Sequence, residues 1–353
     1  MVDPLESSPA QAHPRSLGVS HISTAPNTAR PINSGPMTLG LCTFNRGDKI
    51  ISTLEAITKL DRADGRLLGA IIIDNKSTDN TAAVIDEFIS NHAKVDPTFL
   101  IRRVHEPRPG KANAIERLFV EIDSAGTEPP VVGMIDDDTL PEKNWARGML
   151  SLLDDIPRAG AVGGPVRIVW EDGSTPIATI YKRSLGDQLL GEQRVKLADP
   201  ASFLMGASVA VRMQAVRDSK WRELRSMDTH RGKSLQTGED AEICLRIRNA
   251  GWEIWYEPSA AMGHLIPHWR TTPEYIAKLR ESICRSEPMI KWLSTPGVDA
   301  AWARANARRA KVLWWKTRLF DWRPTRRRVR LAERFGRVRG WNELVEWIDA
   351  HRA

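Results

Sequence analysis

The chain has 353 residues, of which 41% are hydrophobic and 27% are charged. These proportions are typical of globular proteins and argue against a disordered or membrane-embedded chain. Because this length exceeds the usual size of one domain, we expect a large α/β domain with a smaller appendage. The longest apolar stretches, such as residues 67–73, are shorter than the ~18 residues that a membrane-spanning helix requires.

The net charge of +7 is concentrated near the C-terminus. Residues 271–353 contain 19 Lys plus Arg and 9 Asp plus Glu, a net charge of +10, which leaves −3 for residues 1–270. The N-terminus lacks the features of a signal peptide, so we expect a cytoplasmic protein. The three cysteines lack metal-binding spacing and are predicted to be reduced structural thiols: Cys42, Cys244 and Cys284.

The order of elements predicts an α/β fold. Residues 1–36 lack apolar periodicity and predict a disordered leader. From Met37 onwards, apolar runs alternate with stretches of helical periodicity, a pattern typical of a mostly parallel sheet flanked by helices. The predicted strands are residues 38–43, 68–73, 99–104 and 131–135, and the predicted helices are residues 48–60, 80–89 and 111–122. Later elements are extended segments at 205–212 and 252–256 and a helix after Gly238.

Three of the predicted strands end in polar residues. Ligands of open α/β sheets bind beyond the carboxyl ends of parallel strands, so we expect these residues to share one rim of the sheet. They are Thr43, Asn45 and Arg46 after the first strand, Asp74 and Ser77 after the second, and Asp136, Asp137 and Asp138 after the fourth.

The acidic triplet is the strongest candidate site. A nucleotide-bound Mg²⁺ is commonly held by one or two carboxylates together with phosphate oxygens. In extended backbone, Asp136 and Asp138 face one side and Asp137 the other, so two carboxylates converge on one cation. The alternative is an acidic turn before a helix that starts at Pro141, because acidic residues favour a helix N-terminus. The position on the same rim as Asp74 favours a metal site.

The segment after the second strand has two interpretations. Short polar side chains there can cap the following helix. Asp74 lies at the strand end, where its carboxylate could accept hydrogen bonds from a base or ribose. For Ser77, capping and ligand binding remain equally compatible with the sequence.

Six segments follow one another along the chain: LCTFNR, IIIDNKSTDNT, RPGKANAIERL, MIDDDTLPE, GASVAVRM and TGEDAEICLRIRNAGW. Together, in this order, they resemble the motifs of inverting family 2 glycosyltransferases with the GT-A fold. The resemblance covers residues 37–265 and implies a glycosyltransferase domain at 37–270. Its nucleotide-binding half would be residues 37–140 and its acceptor half residues 141–270.

The resemblance also implies ligands. The donor would be a UDP-, GDP- or dTDP-sugar, accompanied by Mg²⁺ or Mn²⁺. Asp138 would ligate the metal, Asp136 would contact ribose or a metal-bound water, and His264 would contact the metal or diphosphate. The whole triplet, Asp137 included, would hold the diphosphate. The residues implied to border the nucleotide are Thr43, Asn45, Arg46, Asp74, Lys111 and Asn113.

Transfer also requires a base that accepts the proton of the acceptor hydroxyl, a contribution of typically ~10²- to 10⁴-fold. The resemblance implies that Asp240, in the Gly238-Glu239-Asp240 segment, is this base, with Glu239 as the second candidate. A single displacement would then invert the anomeric carbon. The alternative is that both carboxylates only stabilise the following helix, because their negative charges lie at the positive end of its dipole. The segment Gly206-Ala207-Ser208 resembles the loop beneath the donor sugar.

Residues 271–353 are predicted to be a basic, Trp-rich helical extension that contains seven of the 13 tryptophans. A helical cap with buried tryptophans is the first interpretation. An amphipathic helix around residues 313–320 that lies on an anionic membrane is the second. Nucleic-acid binding is the third, because cations meet phosphates and aromatic rings stack on bases.

The sequence therefore predicts an inverting glycosyltransferase whose acceptor is a carbohydrate, a lipid-linked saccharide or another glycosylated molecule. A sugar-1-phosphate nucleotidyltransferase would instead need a Gly-rich, basic loop after the first strand, and LCTFNRGDK lacks that richness. A third possibility is a basic membrane- or nucleic-acid-binding protein with a degenerate transferase domain. The presence of Asp136, Asp138 and Asp240 argues against degeneration.

Overall fold

The structure is a computed structural model that describes residues 34–124, 126, 130–227, 238–295, 298–321 and 324–350. The predicted leader lies outside the described residues except for residues 34–36. These three residues pack onto the following domain, because the buried Ser34 donates its backbone N–H to Asp154 Oδ1 over 2.6 Å and accepts a hydrogen bond from Arg66.

The chain alternates between strands and helices in the order that the sequence predicts. The strands are β1 (Met37–Thr43), β2 (Leu67–Asp74), β3 (Leu100–His105), β4 (Val131–Asp136), β5 (Thr139–Pro141), β6 (Ala159–Gly163), β7 (Val166–Trp170), β8 (Val195–Lys196), β9 (Ser208–Arg212), β10 (Glu253–Tyr256) and β11 (Met262–Ile266). The helices are α1 (Ile50–Thr58), α2 (Thr81–Val95), α3 (Lys111–Ser124), α4 (Trp145–Asp155), α5 (Pro176–Ile180), α6 (Met213–Asp218), α7 (Trp221–Leu224), α8 (Glu239–Asn249), α9 (Pro273–Ser294), α10 (Ala300–Phe320) and α11 (Pro324–Ala350).

Within the described residues, the main sheet has the strand order β3-β2-β1-β4-β9-β6-β10-β8. The first four strands in that order are parallel, whereas β9 is antiparallel to both of its neighbours. A smaller sheet has the order β5-β11-β7. The predicted mostly parallel α/β fold is confirmed.

The central strands are buried on both faces, which explains their unbroken apolar sequences. Leu39, Leu41 and Ile72 belong to the core on one face of the sheet, and Ile73 and Val132 to the core on the other. Burial of such side chains contributes about 25 cal/mol for each Å² of apolar surface removed from water. This core fixes the strand ends that carry the polar residues.

The alternative interpretation of the acidic triplet, with a helix that starts at Pro141, does not match the structure. Pro141 ends the short strand β5, which pairs with β11, and α4 starts at Trp145. Trp145 is fully buried and donates its indole N–H to Ser208 Oγ over 2.9 Å. The residues after the acidic triplet therefore form a sheet pairing that brings β11 next to it.

The C-terminal region forms a helical extension that packs on the sheet domain. Met289 and Leu293 of α9 share an apolar cluster with Leu245 of α8. Helices α9 and α11 run parallel. Their ion pairs show this direction, since Glu274 near the start of α9 pairs with Arg328 near the start of α11, and Arg285 further along pairs with Glu343. Helix α10 runs antiparallel to α11. In the part of the chain that the structure describes, no helix is long and apolar enough to cross a membrane.

Four tryptophans of the extension are packed in pairs, as the helical-cap interpretation predicts. Trp292 contacts Trp347 with ring centroids 4.8 Å apart, and Trp302 contacts Trp341 at 5.0 Å. Trp314 and Trp315 of α10 also contact each other, with ring centroids 4.8 Å apart, but 46% of the surface of Trp315 is exposed. Trp322 lies outside the described residues.

The contact between α9 and α11 depends on two glycines of α11. A Cβ atom at Gly336 would collide with the carbonyl oxygen of Glu281, and one at Gly340 with that of Arg285. Within a helix, alanine normally stabilises by ~1 kcal/mol relative to glycine. At these positions, the absence of a side chain instead permits close backbone packing.

We therefore expect Gly336→Ala and Gly340→Ala each to lower the free energy of unfolding by about 1–3 kcal/mol, because overpacking outweighs helix propensity. Urea denaturation measures this change. The reverse substitution Ala305→Gly, at an exposed position of α10, is the control and should cost ~1 kcal/mol. An increase in stability in either alanine variant would contradict the packing argument.

Candidate active site

The polar strand ends meet at one edge of the main sheet. Thr43, the last residue of β1, is in register with Asp74 of β2, and Cys42 is in register with Asp136 of β4. The rim predicted from the sequence is therefore present. Its residues divide into three groups, which lie around Lys111, around Asp138 and around Asn45.

Lys111 joins carboxylates from two distant segments. Its Nζ lies 2.7 Å from Asp136 Oδ1 and 3.6 Å from Glu239 Oε1. Burial opposes the charge of Lys111, but the carboxylates of Asp136 and Glu239 outweigh it and raise the pKa of Lys111 well above its usual value. Lys111 and Asp136 border a cleft that Asp240 and Gly206 also line.

Asp240 lies in the first turn of α8, on the wall of this cleft. Its Oδ2 accepts a hydrogen bond from the Gly206 N–H at 2.9 Å, and its Oδ1 accepts one from the Ala241 N–H at 2.8 Å. Gly206 must be small, because a Cβ atom there would lie 2.8 Å from Asp240 Cβ. Gly238 precedes the helix with a φ of 125°, a left-handed conformation that favours glycine.

Glu239 is buried next to Asp240 with incomplete hydrogen bonding. Its Oε2 has no hydrogen-bond partner among the described residues. Burial raises the pKa of Glu239, while the positive charge of Lys111 opposes that rise. Glu242, one helical turn later and also buried, instead accepts hydrogen bonds from Ser226, Met227 and Arg246. The two glutamates therefore have opposite environments.

Asp138 is surrounded by three basic side chains. Its Oδ2 accepts hydrogen bonds from Arg270 at 2.7 Å and Arg46 at 3.2 Å, and its Oδ1 lies 3.2 Å from His264 Nε2. Burial works against the charge of Asp138, but the His264 hydrogen bond and the two guanidinium groups hold its pKa well below the usual range. His264 reaches Asp138 because His264 of β11 is paired with Thr139 of β5, the residue that follows Asp138.

The side chains of the triplet do not alternate as predicted. Strand β4 ends at Asp136, and Asp137 and Asp138 form a turn, so extended geometry does not continue through them. Asp137 Oδ1 lies 3.3 Å from Arg46 Nε, and Asp138 contacts the same guanidinium group. Asp136 instead pairs with Lys111. Burial raises the pKa of Asp137 to about 6, and Arg46 opposes the shift.

The loops after β1 and β2 are joined through Asn45. The Asn45 N–H donates to Ser77 Oγ over 3.0 Å, and Asn45 Oδ1 accepts from the Thr78 N–H at 2.8 Å. Asp74 accepts from the Ser77 N–H and from Arg103. These contacts join the loops rather than cap α2, whose N-cap residue Asn80 makes no side-chain capping hydrogen bond. A ligand role for Asn45, Asp74 and Ser77 stays a prediction.

Other polar residues of the predicted site have structural partners. Asn113 is buried on α3 and donates to the Pro109 carbonyl over 3.3 Å. On α8, Arg246 donates a hydrogen bond to the backbone carbonyl of Leu224, and Arg248 donates one to that of Ser202. The described cysteines are free thiols, and burial raises the pKa of Cys42 and of Cys244 to about 12. These values suit structural thiols.

Sequence reasoning missed Arg270. This residue lies in the turn His268–Thr271, and besides Asp138 it binds the hydroxyl of Tyr275 with its Nε at 3.0 Å. No local sequence pattern marks it, because Asp138 lies 132 residues earlier in the chain. Tyr275 belongs to α9, so the predicted extension contacts Arg270 and through it the residues around Asp138.

The residues around Asp138 can be tested against a divalent cation. Among the described residues, no group of three His, Cys, Asp or Glu side chains is arranged to hold a metal ion. Asp138 and His264 nevertheless offer a carboxylate oxygen and an imidazole nitrogen 3.2 Å apart. That pair fits a cation whose other ligands come from phosphate and water.

The sequence is similar to those of known glycosyltransferases. A family model described as "Glycosyltransferase like family 2" matches residues 35–286. The pre-mycofactocin glycosyltransferase of Mycobacterium tuberculosis is 23% identical over 201 residues, which are 56% of this chain and 38% of that protein. The poly-beta-1,6-N-acetyl-D-glucosamine synthase of Staphylococcus epidermidis is 28% identical over 228 residues, which are 64% and 49%. The chain thus spans less than half the length of these relatives.

A solved structure is similar over most of its length. The mannosyltransferase PcManGT from Pyrobaculum calidifontis, in complex with GDP-Man and Mn²⁺, has a TM-score of 0.53 and 17% identity, with 90% of each chain covered. This similarity confirms the GT-A fold that the sequence motifs imply.

The contrast between the two glutamates of α8 gives a stability prediction. Folding raises the pKa of Glu239, so its contribution to stability is greatest at low pH and is lost as pH rises through the raised pKa. Glu239→Gln cannot titrate, so we expect this variant to gain stability relative to the natural protein as pH rises. Urea denaturation between about pH 5 and 8 measures the difference.

Glu242→Gln is the matched control. It weakens charge-assisted hydrogen bonds and should lower the free energy of unfolding by about 1.5–3 kcal/mol. Equal destabilisation of both variants at neutral pH would contradict the difference in environment.

Proposed function

The chain belongs to the family described as glycosyltransferase like family 2, and from this premise we propose that it transfers a sugar from a nucleotide-diphosphate donor to an acceptor hydroxyl. One observation carries the proposal. Asp240 and the Asp136–Lys111 pair line the same cleft at the rim where the parallel strands end. A candidate base thus lies across from candidate donor-binding groups.

The donor is assigned to the rim formed by β1, β2 and β4. Its base and ribose would lie near Thr43, Asn45, Arg46 and Asp74, and its diphosphate near the acidic triplet. Guanidinium groups pair well with phosphate oxygens, and both Arg46 and Arg270 are already held at Asp138. A UDP-, GDP- or dTDP-sugar has the required chemistry.

Asp138 and His264 are the residues that would hold Mg²⁺ or Mn²⁺. When bound, the cation would neutralise charge on the leaving diphosphate as a Lewis acid. The pair of protein ligands, 3.2 Å apart, leaves further coordination positions for the donor. The assignment of Asp136 to ribose or a metal-bound water is consistent with its separate partner, Lys111.

Asp240 is the proposed general base. An ionised carboxylate has about four acceptor positions, of which the N–H groups of Gly206 and Ala241 use two. The remaining positions can accept the proton of an acceptor hydroxyl in the cleft. Attack by that hydroxyl on the anomeric carbon, opposite the departing diphosphate, inverts the configuration in a single displacement. Glu239, whose charge is disfavoured by burial, is the second candidate.

The acceptor is proposed to be a carbohydrate, a lipid-linked saccharide or another glycosylated molecule. Gly206 supports this location for the transfer, because its lack of a side chain lets its backbone N–H approach Asp240 closely and bind the carboxylate. Gly206 and Asp240 both belong to residues 141–270, the proposed acceptor half.

Two variants separate the proposed roles. Asp138→Asn should weaken donor binding in the presence of Mn²⁺ about tenfold or more, since it loses a charged ligand. Asp240→Asn should leave donor affinity within about threefold but lower turnover by ~10²- to 10⁴-fold. Calorimetric titration with UDP-, GDP- and dTDP-sugars, followed by donor turnover with the best of them, measures both quantities.

Asp64→Asn is the control, because Asp64 is an exposed carboxylate that pairs with Arg147 on the surface. It should change neither quantity. Failure of every donor to bind, with and without Mn²⁺, would overturn the transferase proposal. Equal losses of donor affinity in the Asp138 and Asp240 variants would refute their separate roles.

A further inference from the structure

The C-terminal half of α10 presents apolar side chains to solvent. Val312, Trp315, Leu319 and Phe320 are 53%, 46%, 68% and 76% exposed, and we call them the α10 stripe. Spacings of three and four residues place the first three on one face of the helix, with Phe320 beside them. The first half of α10 differs, because Ala303 and Ala310 are buried there.

Cations flank the stripe on both sides. Between residues 308 and 320 the helix carries five Lys and Arg residues and no Asp or Glu. At 3.6 residues per turn, Lys311 and Arg318 lie on one side of Val312, Trp315 and Leu319, and Lys316 lies on their other side, between Val312 and Phe320. No carboxylate of the described residues is paired with Lys311 or Lys316. Arg318 lies over the ring of Trp315 at 5.6 Å, which joins the charge to the apolar surface.

We propose that the α10 stripe docks on an anionic lipid surface. An apolar face of three to four large side chains can enter the boundary between head groups and acyl chains, while the flanking cations remain at anionic head groups. Tryptophan favours this boundary, because its ring is apolar and its N–H can stay hydrated. The proposal concerns a surface outside the cleft and does not depend on the transfer reaction.

Two other occupants fit the surface less well. A second copy of the chain would bring two stripes together with five cations each and no acidic residue between residues 308 and 320, so like charges would repel. A nucleic acid would meet the cations but would leave the aliphatic side chains of Val312 and Leu319 without a favourable partner. An anionic bilayer satisfies both the charge and the apolar surface.

The stripe and the candidate active site lie at the same end of the extension. Asp321, next to Phe320, pairs with Arg330 of α11 at 2.9 Å. Two residues earlier on α11, Arg328 pairs with Glu274 in the first turn of α9. The neighbouring Tyr275 binds Arg270, which holds Asp138. Docking through α10 would therefore place a lipid surface at the end of α9 that contacts the Asp138 cluster.

Vesicle cosedimentation of the full chain tests the proposal. Vesicles of phosphatidylcholine alone are compared with vesicles that contain about one third phosphatidylglycerol. We expect binding to the anionic vesicles, weaker binding at high salt, and little binding to the neutral ones. Leu319→Ser/Phe320→Ser should lower the partition coefficient about tenfold or more. Lys311→Gln/Lys316→Gln should lower it roughly 10- to 30-fold.

Matched controls are available on the sheet domain. Val95 and Leu100 are 84% and 72% exposed, so Val95→Ser/Leu100→Ser removes comparable apolar surface elsewhere. Lys59→Gln/Lys94→Gln removes two exposed cations. Neither control should change vesicle binding. All of the substituted side chains are exposed, so circular dichroism should report an unchanged fold in every variant.

Several results would overturn the proposal. They are absence of binding to anionic vesicles, equal binding to neutral vesicles, and α10 variants that bind as well as the controls. Binding of a single-stranded oligonucleotide without vesicle binding would assign the surface to nucleic acid. A dimer in sedimentation experiments without lipid, lost in Leu319→Ser/Phe320→Ser, would assign it to a second copy.

Discussion

The arrangement of this protein depends on the neutralisation of carboxylates gathered at one edge of a sheet. Two carboxylates share Lys111, and Asp137 and Asp138 share Arg46. Removing charges from water is costly, so buried carboxylates persist only with cations or hydrogen bonds nearby. Where the partners are good, as at Asp138, the pKa falls, and where burial dominates, as at Asp137, it rises. The pKa values of two neighbouring carboxyl groups are thus shifted in opposite directions within one short turn.

The same neutralisation separates the charged residues of the candidate site into two groups. The cations at Asp138 come from the loop after β1 and the turn before α9, whereas Lys111 comes from α3. Two separate groups of charge are therefore available, one suited to an incoming diphosphate and the other to the cleft where the acceptor is proposed to bind. Asp136 pairs with Lys111, whereas the next two residues, Asp137 and Asp138, pair with Arg46, because the chain turns immediately after Asp136.

Much of the fold could be predicted, because buried parallel strands require continuous apolar runs and their ends collect polar residues. The rim at Asp74 and Asp136 followed from that rule alone. The side-chain directions within the triplet did not, because alternation holds only while the backbone is extended. Arg270 escaped prediction because its contact with Asp138 depends on tertiary structure. Helix ends were also displaced, as α2 continues to Val95 beyond its strongest periodicity.

The hydrogen bond between Tyr275 and Arg270 has a consequence for protein engineering. The sequence places a domain boundary near residue 270, which would be the natural point for truncation or for exchange of the C-terminal helices with those of a relative. Such a cut would separate Arg270 from the side chain that orients it. Chimeras that exchange the extension should therefore retain the segment through the first turn of α9, or else transfer Arg270 and Tyr275 together from the same parent protein.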